Sequence, residues 1–221
     1  MKRYFFAIIA LFLALTSVAQ DVNRTDSKGR RQGLWMDFYP NGTKRYEGQF
    51  KNDKCKGTFT YYDEQGNLKA TNEFDKSGEK ALNKTYASNG RLVATGYYVS
   101  QKKEGEWKYF DKDSGQLLLS EENKNGKVHG WSRLYNPNNG MLAEETQYVE
   151  GQPEGQCKKY SDTGVLLMDC RYHNGLLDGQ CKTYYPSQLL KEEGQYTEGR
   201  KSGEWKTYNE DGDLISTENY E

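Results

Sequence analysis

The sequence predicts an all-β protein: an elongated, single-layer antiparallel sheet of about eight stacked β-hairpins, repeating every 24–25 residues. Three observations predict it. "GLWMDFYPNG" from Gly33 returns as "GEWKYFDKDSG" from Gly105 and "GEWKTYNEDG" from Gly203. A repeated phrase of this kind marks a structural unit stacked on copies of itself. Short stretches rich in Tyr, Phe, Trp and Thr alternate with "PNG", "SNG", "NNG" and "EDG", which are strand and hairpin-turn signals. Apolar residues do not recur at the three-and-four spacing of a helix.

The elements follow in chain order. Lys2 and Arg3, the apolar run Tyr4 to Leu15 and the small residues Ser17-Val18-Ala19 have the pattern of a secretory signal. Residues 1–19 are therefore expected to be removed near Ala19, and the protein to be exported to the periplasm, the outer surface or the medium. Residues 20–32 form a lead-in. The repeat domain, 33–221, has copies starting near 33, 57, 81, 105, 130, 155, 179 and 203. Five residues into every copy stands a ring: Phe38, Tyr62, Tyr86, Phe110, Tyr135, Tyr160, Tyr184 and Tyr208. A turn glycine and a leucine follow in most copies, then a second ring such as Phe50, Phe74, Tyr98 or Tyr196. A lone hairpin is marginal in water, so neighbours must pair edge to edge. Sixteen strands at about 4.8 Å would make a twisted ribbon of roughly 75 Å. The eight first rings are expected to form a structural aromatic ladder.

"YEGQFKNDKCKGTFTYY" from Tyr46 and "EGQYTEGRKSGEWKTY" from Glu193 resemble MORN repeats. The Gly-x-Trp-x-x-Tyr phrasing is closer to the bacterial variant found in exported, in part antitoxin-like, proteins. The resemblance covers 33–221. It implies a single-layer sheet that contacts proteins or lipids and has no chemistry of its own. Three places depart from the pattern. Copy three has Ala81 and Asn83 for Gly and Trp. Copy five displaces its tryptophan to Trp131 and puts Ser132 in the ring's slot. Copies six and seven put Cys157 and Cys181 there.

Composition excludes several functions. Mean hydropathy is -1.04 and the hydrophobic fraction 34%, too low for a thick core, while 14% aromatic residues argue against disorder. Lys plus Arg, at 31, balance Asp plus Glu, at 32, so no net field exists to hold nucleic acid or an anionic membrane. No nucleophile elbow, zinc-protease motif or phosphate loop is present. The pairs Glu121/Glu122, Glu144/Glu145 and Glu192/Glu193 recur along the copies and read as a solvated face. No catalytic residue, cofactor or metal is expected, although Cys170 and His173 in "CRYH" have a ligand-like spacing. His129 reads as a solvated turn residue.

An exported chain meets oxidising conditions, which makes its cysteines candidates for a disulfide. Cys157 and Cys181 share a column in consecutive hairpins, about 9.6 Å apart and too far to bridge. Cys170 lies on the strand between them. A turn centred at Asn174 and Gly175 would face it to Cys181, and one near Asp162 to Gly164 would face it to Cys157. Cys170–Cys181 is the better bridge, Cys157 the alternative partner, and small filling of a ring slot the competing reading. Trp131, Leu117 and Leu119 are the candidate apolar interaction surface. The expected function is that of a non-enzymatic exported scaffold for an unidentified envelope or secreted protein. The alternatives are an antitoxin-like inhibitor and a lipid or glycan contact module. The free sheet edges also suit edge-to-edge self-association.

Overall fold

A computed structural model describes residues 21–221; the expected signal peptide lies outside the described residues. These residues form one open antiparallel meander in which nearly every strand pairs with the next in sequence. The strands of the first half are β1 (Arg24–Thr25), β2 (Arg31–Phe38), β3 (Lys44–Lys51), β4 (Lys54–Tyr62), β5 (Leu68–Phe74), β6 (Lys80–Tyr86), β7 (Leu92–Val99), β8 (Lys102–Phe110) and β9 (Leu117–Lys124). Those of the second are β10 (Lys127–Tyr135), β11 (Leu142–Val149), β12 (Gln152–Tyr160), β13 (Leu166–His173), β14 (Leu176–Leu177), β15 (Gly179–Tyr184), β16 (Leu190–Thr197), β17 (Arg200–Tyr208) and β18 (Leu214–Tyr220). Each repeat is one hairpin, from β2–β3 to β17–β18. The count exceeds sixteen for two reasons. The lead-in supplies β1, which pairs Arg24 with Gln32 and Thr25 with Arg31, and the first strand of copy seven breaks at Asp178 into β14 and β15.

The seams between repeats contain bulges. Between β3 and β4, Glu47 pairs with Thr60 and Gln49 with Lys56, so a two-residue step on one strand opposes a four-residue step on the other. The extra residues include Gly57, at φ +62°, a conformation that costs an L side chain roughly 1–2 kcal/mol. Gly105 and Gly203 have the same role, at φ +69° and +64°. The seam of copy three is different. From Ala70–Thr85 to Phe74–Ala81, β5 and β6 pair without interruption. Alanine at 81 keeps ordinary strand geometry, and the bulge is gone.

Strand side chains alternate between faces, and one face carries a row of register partners along the middle of the sheet. Its members include Trp35, Gly48, Phe59, Asn72, Asn83, Gly96, Trp107, Cys157, Cys170, Cys181, Gly194 and Trp205. Phe59, Trp107 and Trp205 are nearly fully buried by flanking rings, since Trp35, Phe50, Phe59 and Phe74 meet edge to face at centroid distances of 5.9, 5.0 and 5.3 Å. The core is mainly this row and the rings that flank it, which accounts for the low hydrophobic fraction.

The expected aromatic ladder lies on the opposite face, because the first ring of each copy stands three residues beyond the buried slot. Three of its rings bond glutamates. Tyr62 donates to Glu47 Oε1 at 3.0 Å, Tyr160 to Glu145 at 2.8 Å and Tyr208 to Glu193 at 3.0 Å. A cation completes each set: Lys44 on Glu47, Arg133 on Glu145 and Lys182 on Glu193. This corrects the reading of the acidic pairs as wholly solvated, since Glu145 and Glu193 are half-buried acceptors. Phe38, with no ladder neighbour before it and no hydroxyl, is exposed. Turn asparagines bind consecutive copies: Asn41 donates to the Glu64 carbonyl at 2.9 Å and Asn89 to that of Lys112 at 2.8 Å.

Candidate functional site

The departures in copy three open a groove on the core face. In copies two, four and eight a ring at the slot covers the glycine across the seam: Phe59 over Gly48, Trp107 over Gly96 and Trp205 over Gly194. In copy three the corresponding pair is Asn72 and Asn83, and Asn83 Nδ2 donates to Asn72 Oδ1 at 2.7 Å. An amide has far less volume than an indole, and the pair lies in a groove of about 1190 Å³. Asn72 and Asn83 line it together with Tyr46, Tyr61, Phe74 and Tyr98. The amide pair is satisfied on its far side by Thr85 Oγ1, which donates to Asn83 Oδ1 at 3.0 Å. Burial pushes the Tyr61 hydroxyl up in pKa against an opposing hydrogen bond with Asn72. Cys55, a free and half-buried thiol whose pKa burial also raises, lines the groove. Aromatic faces around a few fixed amides can take an apolar anchor and orient it by hydrogen bonds.

The second cluster is cysteine. Cys170 and Cys181 form a disulfide with Cα atoms 4.1 Å apart, joining copy six to copy seven. Cys157 pairs in register with Cys170 on its other side; it is fully buried as a free thiol, and Thr146 Oγ1 lies 3.3 Å from its sulfur. His173 stands three residues from Cys170 and so projects to the other face, where its Nδ1 lies 3.0 Å from Glu154 Oε1. Cys170 and His173 therefore do not converge on a metal. His129, expected as a solvated turn residue, is half-buried on β10, with Nδ1 3.6 Å from Glu150 Oε1.

Trp131, Leu117 and Leu119 are half-buried, and the Arg133 guanidinium lies 5.4 Å from the Trp131 ring centroid. The apolar side chains with most exposure are elsewhere: Ile215 and Leu214 on β18, Phe38 on β2, Leu134 on β10 and Leu176 on β14. Sequence reasoning marked copy three as atypical without finding its groove. The usable signal was the joint loss of Gly and Trp at 81 and 83 together with Asn at 72, which holds glycine at the matching place in copies one, three and seven.

A family model described as the MORN repeat variant matches residues 31–52 and 201–221, segments that carry the unaltered Gly-x-Trp phrase. No curated protein matches the chain. Among solved structures, S. aureus TarM in complex with fondaparinux, alpha-GlcNAc-glycerol and UDP is 15% identical, with a TM-score of 0.34 over 44% of this chain and 19% of that one. A TcdB2-TccC3-Cdc42 structure is 12% identical, with a TM-score of 0.21 over 81% of this chain and 12% of that one. The chain thus spans less than a fifth of either matched chain.

Proposed function

The chain belongs to the MORN-repeat family, and from that premise we propose that it is a non-enzymatic, exported scaffold of the cell envelope that holds a protein partner in the groove of copy three. The groove carries this reading. It is the place where the repeat gives up a buried ring and presents amides among aromatic rings. An extended segment with one bulky apolar anchor fits that chemistry, since the anchor replaces the missing indole and its backbone can bond the amides. The N-terminal pattern and the Cys170–Cys181 bridge support export, because disulfides persist in oxidising compartments.

The test compares two variants in a pull-down from the envelope fraction. One restores the ordinary seam with Asn72→Gly, Ala81→Gly and Asn83→Trp; the other blunts the far edge with Ile215→Lys. The proposal expects a stoichiometric protein retained by the wild type and by Ile215→Lys but lost from the filled-groove variant. It also expects that partner to shield Cys55 from alkylation. Equal retention by all three would overturn the groove, and loss only with Ile215→Lys would overturn it and move binding to the edge. A single partner encoded nearby would favour an inhibitor over a general scaffold.

A further inference from the structure

We infer that Cys157, Cys170 and Cys181 form an in-line thiol–disulfide relay. In it the Cys157 sulfur displaces Cys181 from Cys170 and moves the covalent staple from the seam between copies six and seven into the hairpin of copy six. Three placements carry this. Cys157 pairs with Cys170 in the β12–β13 register. Met168–Thr183 and Asp169–Lys182 set the β13–β15 register, which puts Cys170 opposite Cys181, where it is bonded. The three cysteines therefore stand in one row on one face, with Cys170 in the middle. Displacement at sulfur needs the entering and leaving sulfurs on opposite sides of the one attacked, and the strand order supplies that arrangement. Paired Cα atoms in an antiparallel ladder are about 4.5 or 5.5 Å apart, both within the range a disulfide spans. Exchange therefore asks for side-chain rotation and no change of register.

The step balances without an added oxidant. Cys157 gives up its thiol proton, a bond forms from its sulfur to that of Cys170, and the Cys170–Cys181 bond breaks. The electron pair leaves on Cys181, which takes up a proton. Burial of all three residues, at 0, 1 and 4% exposure, favours this internal route over attack by external thiols. The thiolate is the attacking form, and burial pushes the Cys157 thiol up in pKa against the Thr146 hydrogen bond. Glu144 and Tyr148 from β11, Lys159 from β12, and Asp169 and Tyr172 from β13 are the ionisable groups around it. Exchange is accordingly slow at neutral pH and accelerates about tenfold per pH unit while Cys157 remains a thiol.

The structural consequence lies in the seam. The ladder there is broken at Asp178, with β13 registered to β14 over Tyr172 and His173 and to β15 over Met168 and Asp169. The β12–β13 ladder, by contrast, runs from Gly155 to Tyr160. A staple at 170–181 locks residues 179–221 onto the rest of the sheet, and a staple at 157–170 releases that lock while the chain stays oxidised.

The test uses the full chain with Cys55→Ser, which removes the remote thiol. The oxidised protein is held at pH 7 and at pH 9 without added thiol, quenched and alkylated in acidic denaturant, and mapped by mass spectrometry. The label is expected on Cys157 at early times at pH 7, with a growing share on Cys181 at pH 9. Label confined to Cys157 at both pH values after days would overturn the relay, as would label on Cys170 and Cys181 together. A second variant, Cys181→Ser, is treated with oxidised glutathione. A Cys157–Cys170 bridge is expected, and two free thiols in the folded variant would overturn the proposal independently.

Discussion

The indole of Trp107 lies directly on Gly96, so closely that a β-carbon at residue 96 would stand 2.4 Å from Cδ2 of the ring. Phe59 on Gly48 and Trp205 on Gly194 repeat the contact, at 2.3 Å in both. Four seams replace the glycine and lack the ring too. Three of the new pairs make a bond of their own: an amide pair at Asn72 and Asn83, a hydroxyl–thiol contact at Thr146 and Cys157, and a disulfide at Cys170 and Cys181; the fourth sets Glu121 opposite Ser132. One steric condition thus sets both the regular seams and the departures from them.

Gly96→Ala should destabilise the protein by about 1–3 kcal/mol, the usual cost of forcing extra volume into a filled site. Trp107→Leu should remove much of that penalty, so the double variant loses less than the sum of the singles. Urea unfolding of the four proteins measures the coupling, and additive losses would refute the contact.

Asn83→Trp alone should lower Tm, since Asn72 occupies the space the indole needs. With Asn72→Gly and Ala81→Gly added, Tm should recover to the wild-type value or above it, by an effect of about 1–3 kcal/mol between the single and triple variants. Differential scanning calorimetry reads both.

Acid should weaken the polar face through Glu193. Its carboxyl is held below the ordinary range chiefly by the Lys182 ammonium, with help from the Tyr208 hydroxyl. The folded pKa is depressed, so this stabilisation is present above the ordinary glutamate pKa and is lost as pH falls through the lowered value. Lys182→Met should narrow the difference in Tm between pH 7 and pH 3 by about 1–3 °C, in keeping with a solvent-screened pair.

Base should act through Tyr160, whose hydroxyl burial and the Glu145 carboxylate push up to about 12. A raised folded pKa means that the stabilisation is complete below the ordinary tyrosine pKa and is lost as pH rises towards the folded one. Tyr160→Phe should cost about 1 kcal/mol at neutral pH and lose less stability than the wild type between pH 9 and pH 12. Parallel losses in denaturant titrations would count against the Tyr160–Glu145 bond.

Much of this architecture was legible because a repeat writes the same local instructions many times. Period, turn residues and ring positions indicated the hairpins, and the parity of residues within a strand was available as a signal to separate Tyr62 from Phe59. The Tyr–Glu bonds were less legible, though the fifteen-residue spacing of Glu47 to Tyr62, Glu145 to Tyr160 and Glu193 to Tyr208 was available as their signal.

The sequence by itself determined the all-β class, the repeat boundaries and the sites of departure, because each depends on residues close together in the chain. The tertiary structure decided the register across each seam, and with it which cysteine faces which, where a ring covers a glycine, and that Asn72 and Asn83 leave a groove. Those outcomes depend on bulges that add residues to one strand and not to its neighbour. Their effect is a matter of packing between copies, and no single copy of the repeat encodes it.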